Sequence, residues 1–476
     1  MSETCCPPTE RKGDYDLAVI GAGSAGFSAA ITAADQGAQV AMIGHGTIGG
    51  TCVNVGCVPS KALIRATEAV HHANTASRFA GVRATARLED WNALRLQKDE
   101  LVTSLRQAKY IDLLPAYNGV AYIEGKAHLG NGGVVVDGTH INAGKIIIAT
   151  GSHEFVPDIP GVANVPFLTS TSAFELEHRP DSLIVMGGGY IGCELTQMFA
   201  RAGTKVTVVF RSRLLPEGEP EISEALTRYF AEEGITVQHV GAYKNVRQGG
   251  DGTVLTVEID GADKKLEAQH LLLTAGRKAN TAGLGLEEAG VETLPNGGIK
   301  VDDRMRTTKA GIYAAGDVTG RDQFVYMAAY GAKIAASNAM NGDGRIYDNR
   351  TMPAVVFTDP QVASVGLTEK AARARGIKVK TSVLALDSVP RALAARDTRG
   401  LIKLVADEAD GKLIGAHILA PEGADSVQTA VIAIQQGMTY GELGNTIFPY
   451  LTTVEGLKLA AQTFDMDVSK LSCCAG

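Results

Sequence analysis

A glycine-rich turn occurs twice in this chain, each time between a strand and a helix, and it constrains the fold more than any other feature. Tyr15–Ile20 reads as a short apolar strand that runs into Gly21-Ala22-Gly23-Ser24-Ala25-Gly26. Phe27–Gln36 follows as an Ala-rich helix and Ala38–Ile43 as the next strand. The unit returns as strand Ser182–Met186, turn Gly187-Gly188-Gly189-Tyr190-Ile191-Gly192, helix Cys193–Ala202 and strand Lys205–Phe210. In such a unit the first glycine allows the tight turn. The second lets backbone approach a pyrophosphate, and the third lets the helix pack closely on the strand. One such turn alone is a weak signal. Two in the right context predict two dinucleotide sites. Lys145–Thr150 and Gly311–Asp317 read as further strands that end in turns, the second on a carboxylate suited to a cofactor hydroxyl.

The chain of 476 residues is long enough for about three domains. From about Pro353 the pattern changes to short strands at Val355–Phe357, Val362–Val365, Lys378–Leu384, Gly400–Ala406 and Lys412–Ile418. Helices are expected near Ser426–Gln436 and Gly456–Thr463, so this part reads as α+β with a mostly antiparallel sheet. The expected class is α/β: two Rossmann-like dinucleotide-binding domains and a C-terminal α+β domain. The expected division is a tail at 1–12, a first dinucleotide domain at 13–160 and 291–350, a second at 161–290, and the α+β domain at 351–476. A net charge of −7 without a basic block argues against nucleic acid or an anionic membrane as partner. The first residues lack the apolar core of a secretory signal, and no apolar stretch is long enough to span a bilayer. A cytoplasmic location is expected, where cysteine motifs are catalytic or metal-binding more often than structural.

Two cysteine pairs carry the chemistry. Cys52 and Cys57 lie in Gly-Gly-Thr-Cys-Val-Asn-Val-Gly-Cys-Val-Pro-Ser-Lys. Five residues along a regular helix rise about 7.5 Å, beyond normal disulfide reach, so Gly56 is expected to bend the chain. Pro59 fits the first turn of a helix continued by Lys61–His71. A thiol near a helix N-terminus has a lowered pKa. Cys473 and Cys474 are adjacent and bridge only through a distorted ring, so they suit a soft ion better than a disulfide. Cys5-Cys6 offers a further capture site or an idle tail, and Cys193 reads as a small core residue.

With its Gly-Gly-Thr-Cys…Cys-Val-Pro-Ser-Lys segment and paired fingerprints, the chain resembles the pyridine nucleotide-disulfide oxidoreductases over nearly its whole length. The resemblance implies FAD at Gly21, Gly23 and Gly26, with further contacts from Gly46, Thr51, Lys61, Ala127, Asp317 and Val325. It implies a nicotinamide cofactor at Gly187, Gly189 and Gly192. Cys57 would lie against the flavin and Cys52 would be the exchange thiol. Lys61 and Glu194 would pair beside the flavin, Tyr190 would shield the nicotinamide pocket, and Asp317 would bind the ribityl chain. A homodimer is implied as well.

The disulfide-reducing branches of that family place a His-Pro-Thr segment near the C-terminus, whose His protonates the leaving thiol. Here the stretch is Phe448-Pro449-Tyr450-Leu451, and no histidine follows His417. The ending Leu-Ser-Cys473-Cys474-Ala-Gly, with Tyr110 and Tyr450, is similar to the mercury-reducing branch. That likeness implies Hg(II) as substrate, passed from Cys473 and Cys474 of one subunit to Cys52 and Cys57 of the other and reduced to Hg(0). Soft ions select thiolates, and transfer by an attacking thiolate overcomes slow dissociation. The rival readings are a disulfide reductase of the same family and a flavoprotein that binds thiophilic metal without turnover. The acidic residue expected after the second strand, where it would bind the adenosine ribose of FAD, is replaced by Gly44 beside His45. At the matching place in the second unit stand Arg211 and Arg213, which suit the 2′-phosphate of NADPH.

Overall fold

The computed structural model describes residues 15–130, 132–250 and 252–470. Cys5, Cys6, Cys473 and Cys474 lie outside them. The chain divides into two compact units. Unit one holds the residues through Ala62, Asn92–Val156 and Gly276–Asp348; unit two holds Leu63–Trp91, Pro157–Ala275 and the residues from Asn349 on.

In unit one a five-stranded parallel sheet runs in the order Ile312–Ala314, Ala143–Ile148, Tyr15–Ile20, Val40–Gly44, Val120–Glu124. Its inner strands are continuously apolar: Leu17 through Ile20 and Val40 through Ile43 are all buried. Such runs suit a parallel sheet covered on both faces, since neither side of the strand meets water. Helix Ser24–Ala34 packs on helix Val325–Asn341 through small residues, and the Ser28 hydroxyl donates to the Ala329 carbonyl at 2.9 Å. A small antiparallel sheet, Ala127–Gly130, Gly133–Val136 and Thr139–Ile141, closes the core beneath Ile146 and Ile148.

Unit two contains three sheets. A parallel one runs Thr236–His239, Lys205–Phe210, Ser182–Met186, His270–Leu273. Beside it lies an antiparallel meander, Ala242–Gly249, Gly252–Ile259 and Ala262–Ala268. The third is antiparallel, in the order Pro353–Val356, Gln361–Gly366, Leu413–Ala420, Leu401–Asp407, Val379–Ala385. Helices Gly423–Gln435 and Glu455–Gln462 pack on it.

The strands expected at Tyr15–Ile20, Ser182–Met186 and Lys205–Phe210 are found with those bounds. Both fingerprint helices begin earlier than expected, at Ser24 and Tyr190 rather than Phe27 and Cys193. The third glycine of each turn belongs to the first helical turn, because its contact with the strand is a helix-packing contact.

Charged side chains tie unit two together. Arg201, 5% exposed, binds Glu233 at 2.7 Å and Asp359 at 3.0 Å. Arg399 binds Asp359 at 3.3 Å and Asp397 at 2.8 Å. His71 and His72 face the same group, with His72 Nε2 3.5 Å from Asp359. The arginines and His72 hold the Asp359 carboxyl far below the usual carboxylate range despite its burial.

Burial, aided by Arg201, lowers the His71 imidazole from 6.5 to about 4. Between these values the unfolded chain takes up a proton that the fold refuses, so stability falls as pH drops from 6.5 towards 4. His72 shifts the other way, drawn up chiefly by its hydrogen bond to Asp359, and its contribution is lost only as pH rises past its folded value. Changing His71 to Gln should therefore flatten the acid-side loss of stability in that window. Urea midpoints across it provide the check; an unchanged slope would show that His71 does not control it.

Candidate active site

The two glycine turns have nearly the same geometry. Gly21 and Gly187 have φ of +124° and +123°, where a side chain is strained. A Cβ on Gly21 would fall 2.2 Å from the Ala149 carbonyl oxygen, and one on Gly187 2.4 Å from that of Thr274. On Gly26 and Gly192 it would strike the Gly21 and Gly187 oxygens. The middle glycines differ. A Cβ on Gly189 would meet nothing within 4 Å, and on Gly23 only Gly50 Cα at 3.5 Å. No side chain caps either helix start, at Gly23 or at Gly189, as suits a pyrophosphate approaching the backbone there. On this geometry both turns fit a dinucleotide.

Around the first turn, Gly49 and Gly50 have φ of +96° and +67° and start the short helix Gly50–Val55. That helix carries Thr51 and Cys52. It breaks at Gly56, whose φ of −124° and ψ of −108° leave the helical region, and helix Cys57–Asn74 starts at the next residue. The bend expected at Gly56 is what lets two cysteines five apart approach. They are free cysteines, half-buried and hydrogen-bonded to each other. That bond, burial and the Cys57 charge push the Cys52 thiol well above its usual range, while the Lys61 ammonium acts in the opposite direction.

Tyr110 joins this group. It stands on a π-helical turn, Gln107–Ile111, a distortion found often at functional sites. Its ring meets Phe27 edge-on at 4.8 Å and its hydroxyl lies 3.4 Å from Ser24 Oγ. A Cβ on Gly49 would touch that ring at 3.2 Å. Burial, with the neighbouring Cys52 and Cys57, raises the phenol's pKa, so it remains a neutral donor.

Asp317 opens the turn after strand Ile312–Ala314 and accepts from the Ser152 hydroxyl at 2.7 Å. Ser152 is itself held by Arg277 at 2.8 Å. Sequence reading missed Ser152 and Arg277; the only signal was the turn after Lys145–Thr150. Gly46, with φ of +79°, is exposed, Ala127 opens its strand and Val325 opens its helix.

In unit two Tyr190 begins helix Tyr190–Arg201 and burial raises its phenol's pKa. Glu194 is buried and accepts from the Phe357 backbone N–H at 2.9 Å. Cys193 is fully buried, as a core residue should be. Arg213 donates to the carbonyls of Pro216 at 2.8 Å and Gly218 at 2.5 Å, closing its own loop, whereas Arg211 is exposed. Tyr450 is 54% exposed beside Ile447 and Leu451, also exposed. Lys61 falls in unit one and Glu194 in unit two.

Comparison with known proteins agrees with this geometry. The family model described as pyridine nucleotide-disulphide oxidoreductase matches residues 15–336, and that family's dimerisation domain matches residues 352–461. The chain is 48% identical to a mercuric reductase of Streptomyces lividans, covering 97% of this chain and 98% of that protein. It is also 48% identical to a mercuric reductase of Bacillus cereus, covering 97% and 73%. Among solved structures it is similar to the HOCl-induced flavoprotein disulfide reductase RclA from Escherichia coli. There the TM-score is 0.83 and the identity 31%, over 94% of this chain and 99% of that one. The chain belongs to the pyridine nucleotide-disulphide oxidoreductase family.

Proposed function

We propose that this protein is a flavin-dependent mercuric reductase that uses NADPH to convert Hg(II) to Hg(0). The observation that carries the reading is the thiol pair bent together at Gly56 beside Tyr110 and Lys61, in a chain whose full-length relatives bear that activity in their names. FAD belongs at the first glycine turn with Gly46, Thr51, Lys61, Ala127, Asp317 and Val325, and NADPH at the second with Tyr190. Bound there, the flavin supplies the route by which an electron pair from NADPH reaches the thiols.

The chain's own groups do the rest. Cys52 and Cys57 hold Hg(II) through two sulfurs, which soft ions prefer. Binding displaces the thiol protons. Tyr110 narrows the site and offers a neutral hydroxyl. Two electrons discharge the ion, which leaves as Hg(0). Cys473 and Cys474 deliver Hg(II) by thiolate exchange, and Tyr450 lies on their route. Delivery takes place between the subunits of a homodimer, whose interface would cover exposed Ile447 and Leu451 in the C-terminal domain. The domain division follows: 13–160 with 291–350 for FAD, 161–290 for NADPH and 351–476 for dimerisation. No helix among the described residues is long and apolar enough to cross a membrane, and the reducing cytoplasm suits open thiols.

The likeness to RclA favours a second reading, reduction of a disulfide. Phe448-Pro449-Tyr450 and the lack of any histidine after His417 oppose it, because a departing thiolate then lacks its acid. Purified protein given NADPH with either Hg(II)–thiol complexes or disulfides decides between them. Hg(II)-stimulated oxidation with release of Hg(0) vapour is the expected result. Stimulation by disulfides alone would establish the second reading, and stimulation by neither would leave a metal-binding flavoprotein.

The guanidinium geometry sets cofactor preference. Because Arg213 is committed to its loop, Arg211 is the residue to read the 2′-phosphate. Arg211→Ala should raise KM for NADPH about tenfold, the scale of one charge-assisted hydrogen bond, and leave KM for NADH unchanged. Equal effects on both cofactors would refute this role.

A further inference from the structure

We infer that Tyr122 supplies the contact to the adenosine ribose of FAD that an acidic residue at position 44 would otherwise make. The inference rests on FAD occupying the first glycine turn. In a dinucleotide-binding unit the residue at the end of the second strand hydrogen-bonds a ribose hydroxyl through a carboxylate. That strand ends here at Gly44, which has no side chain. The space is filled from the neighbouring strand. A Cβ built on Gly44 would lie 2.6 Å from the Tyr122 Oη, and 2.8 Å from both Tyr122 Cε2 and the Ala22 Cβ. No larger residue fits at 44 while the phenol stays, so glycine and tyrosine form a matched pair.

The position is as informative as the fit. Ala22 is the second residue of the fingerprint turn, so the phenol oxygen sits beside that turn, where the strand-end carboxylate would stand. Parallel pairing sets Met42 opposite Tyr122 and Gly44 opposite Glu124. Tyr122 and Glu124 therefore share one face of the edge strand, and Tyr122 leans over Gly44. A phenol hydroxyl donates one hydrogen bond and accepts others, so it can serve a ribose hydroxyl and its protein neighbours together. A phenol–ribose contact is weaker than a charge-assisted one.

The test is flavin affinity. Wild type and Tyr122→Phe are exchanged with excess FAD or with FAD analogues lacking the 2′- or the 3′-hydroxyl of the adenosine ribose. Dissociation on dilution is followed by flavin fluorescence. The phenylalanine variant keeps the ring that packs on Gly44, and circular dichroism confirms its fold. The expected result is FAD bound about three- to tenfold more weakly by the variant, as for one neutral hydrogen bond, with no difference between the proteins for one of the analogues. A penalty of equal size for FAD and both analogues would make the hydroxyl merely structural and overturn the assignment. So would no penalty at all, or a penalty from Glu124→Gln in its place. Absence of FAD from the wild-type protein would overturn the functional reading, and this assignment with it.

Discussion

Cys57→Ser will abolish Hg(II)-dependent NADPH oxidation while flavin stays bound. The pair works as a unit. Gly56 breaks the helix so that the two thiols meet, and Cys52 and Cys57 are hydrogen-bonded to each other. A serine there presents a hard oxygen, which soft Hg(II) ignores, and it cannot form or open a disulfide. Removing one member of such a unit costs nearly as much as removing both, so the loss should exceed about a hundredfold. The first glycine turn, around Gly21 and Gly26, lies apart from Cys57 in sequence and is shaped by backbone, so the substitution leaves it intact. Turnover with Hg(II)–thiol complexes, measured beside the bound-flavin spectrum, is the check. Retention of a substantial fraction of turnover would show that the metal is reduced elsewhere.

A second large effect concerns stability alone. Lys403 lies within strand Leu401–Asp407, its side chain 2% exposed. It binds Glu219 at 3.0 Å, Glu221 at 2.7 Å and Glu369 at 3.0 Å. Glu219 is equally buried, lies 3.7 Å from His417 Nε2 and accepts from the Glu369 backbone N–H. Lys403→Met fits the space but leaves the buried Glu219 carboxylate without its cation. Breaking such a group by removing one partner costs about 3–5 kcal/mol. The urea midpoint of unit two should fall accordingly, and Lys403→Met with Glu219→Leu should recover part of the loss. A single variant as stable as wild type would mean that the lysine's desolvation cancels what its partners gain.

Both glycine turns were legible because their first and third glycines answer to hard sterics: a side chain there would strike a backbone carbonyl. The bend at Gly56 was legible for the same kind of reason, since helical rise alone forbids the two thiols to meet. The meander Ala242–Ala268 was not expected. Its middle strand is buried from Thr253 to Val257, without alternation, and its last strand, Ala262–Ala268, is mostly exposed and charged. Neither shows the period-two pattern of a half-buried strand. The Lys403 and Arg201 groups were invisible because a charged residue in a sequence reads as solvated until its partners, far away in the chain, are known. Tyr122 is similar. Gly44 revealed a missing carboxylate, but only strand pairing shows what fills its place. Arg211 and Arg213 looked equivalent until the backbone carbonyls of the loop claimed one of them.

The most direct measurement is the amount of Hg(0) vapour formed per NADPH consumed, with Hg(II) supplied as a thiol complex in the absence of oxygen. One hydride carries the two electrons that one Hg(II) needs, so equal molar amounts are expected from the wild-type protein. Steady NADPH consumption that yields no Hg(0) would contradict the assignment of Cys52 and Cys57 as the place where the metal is discharged.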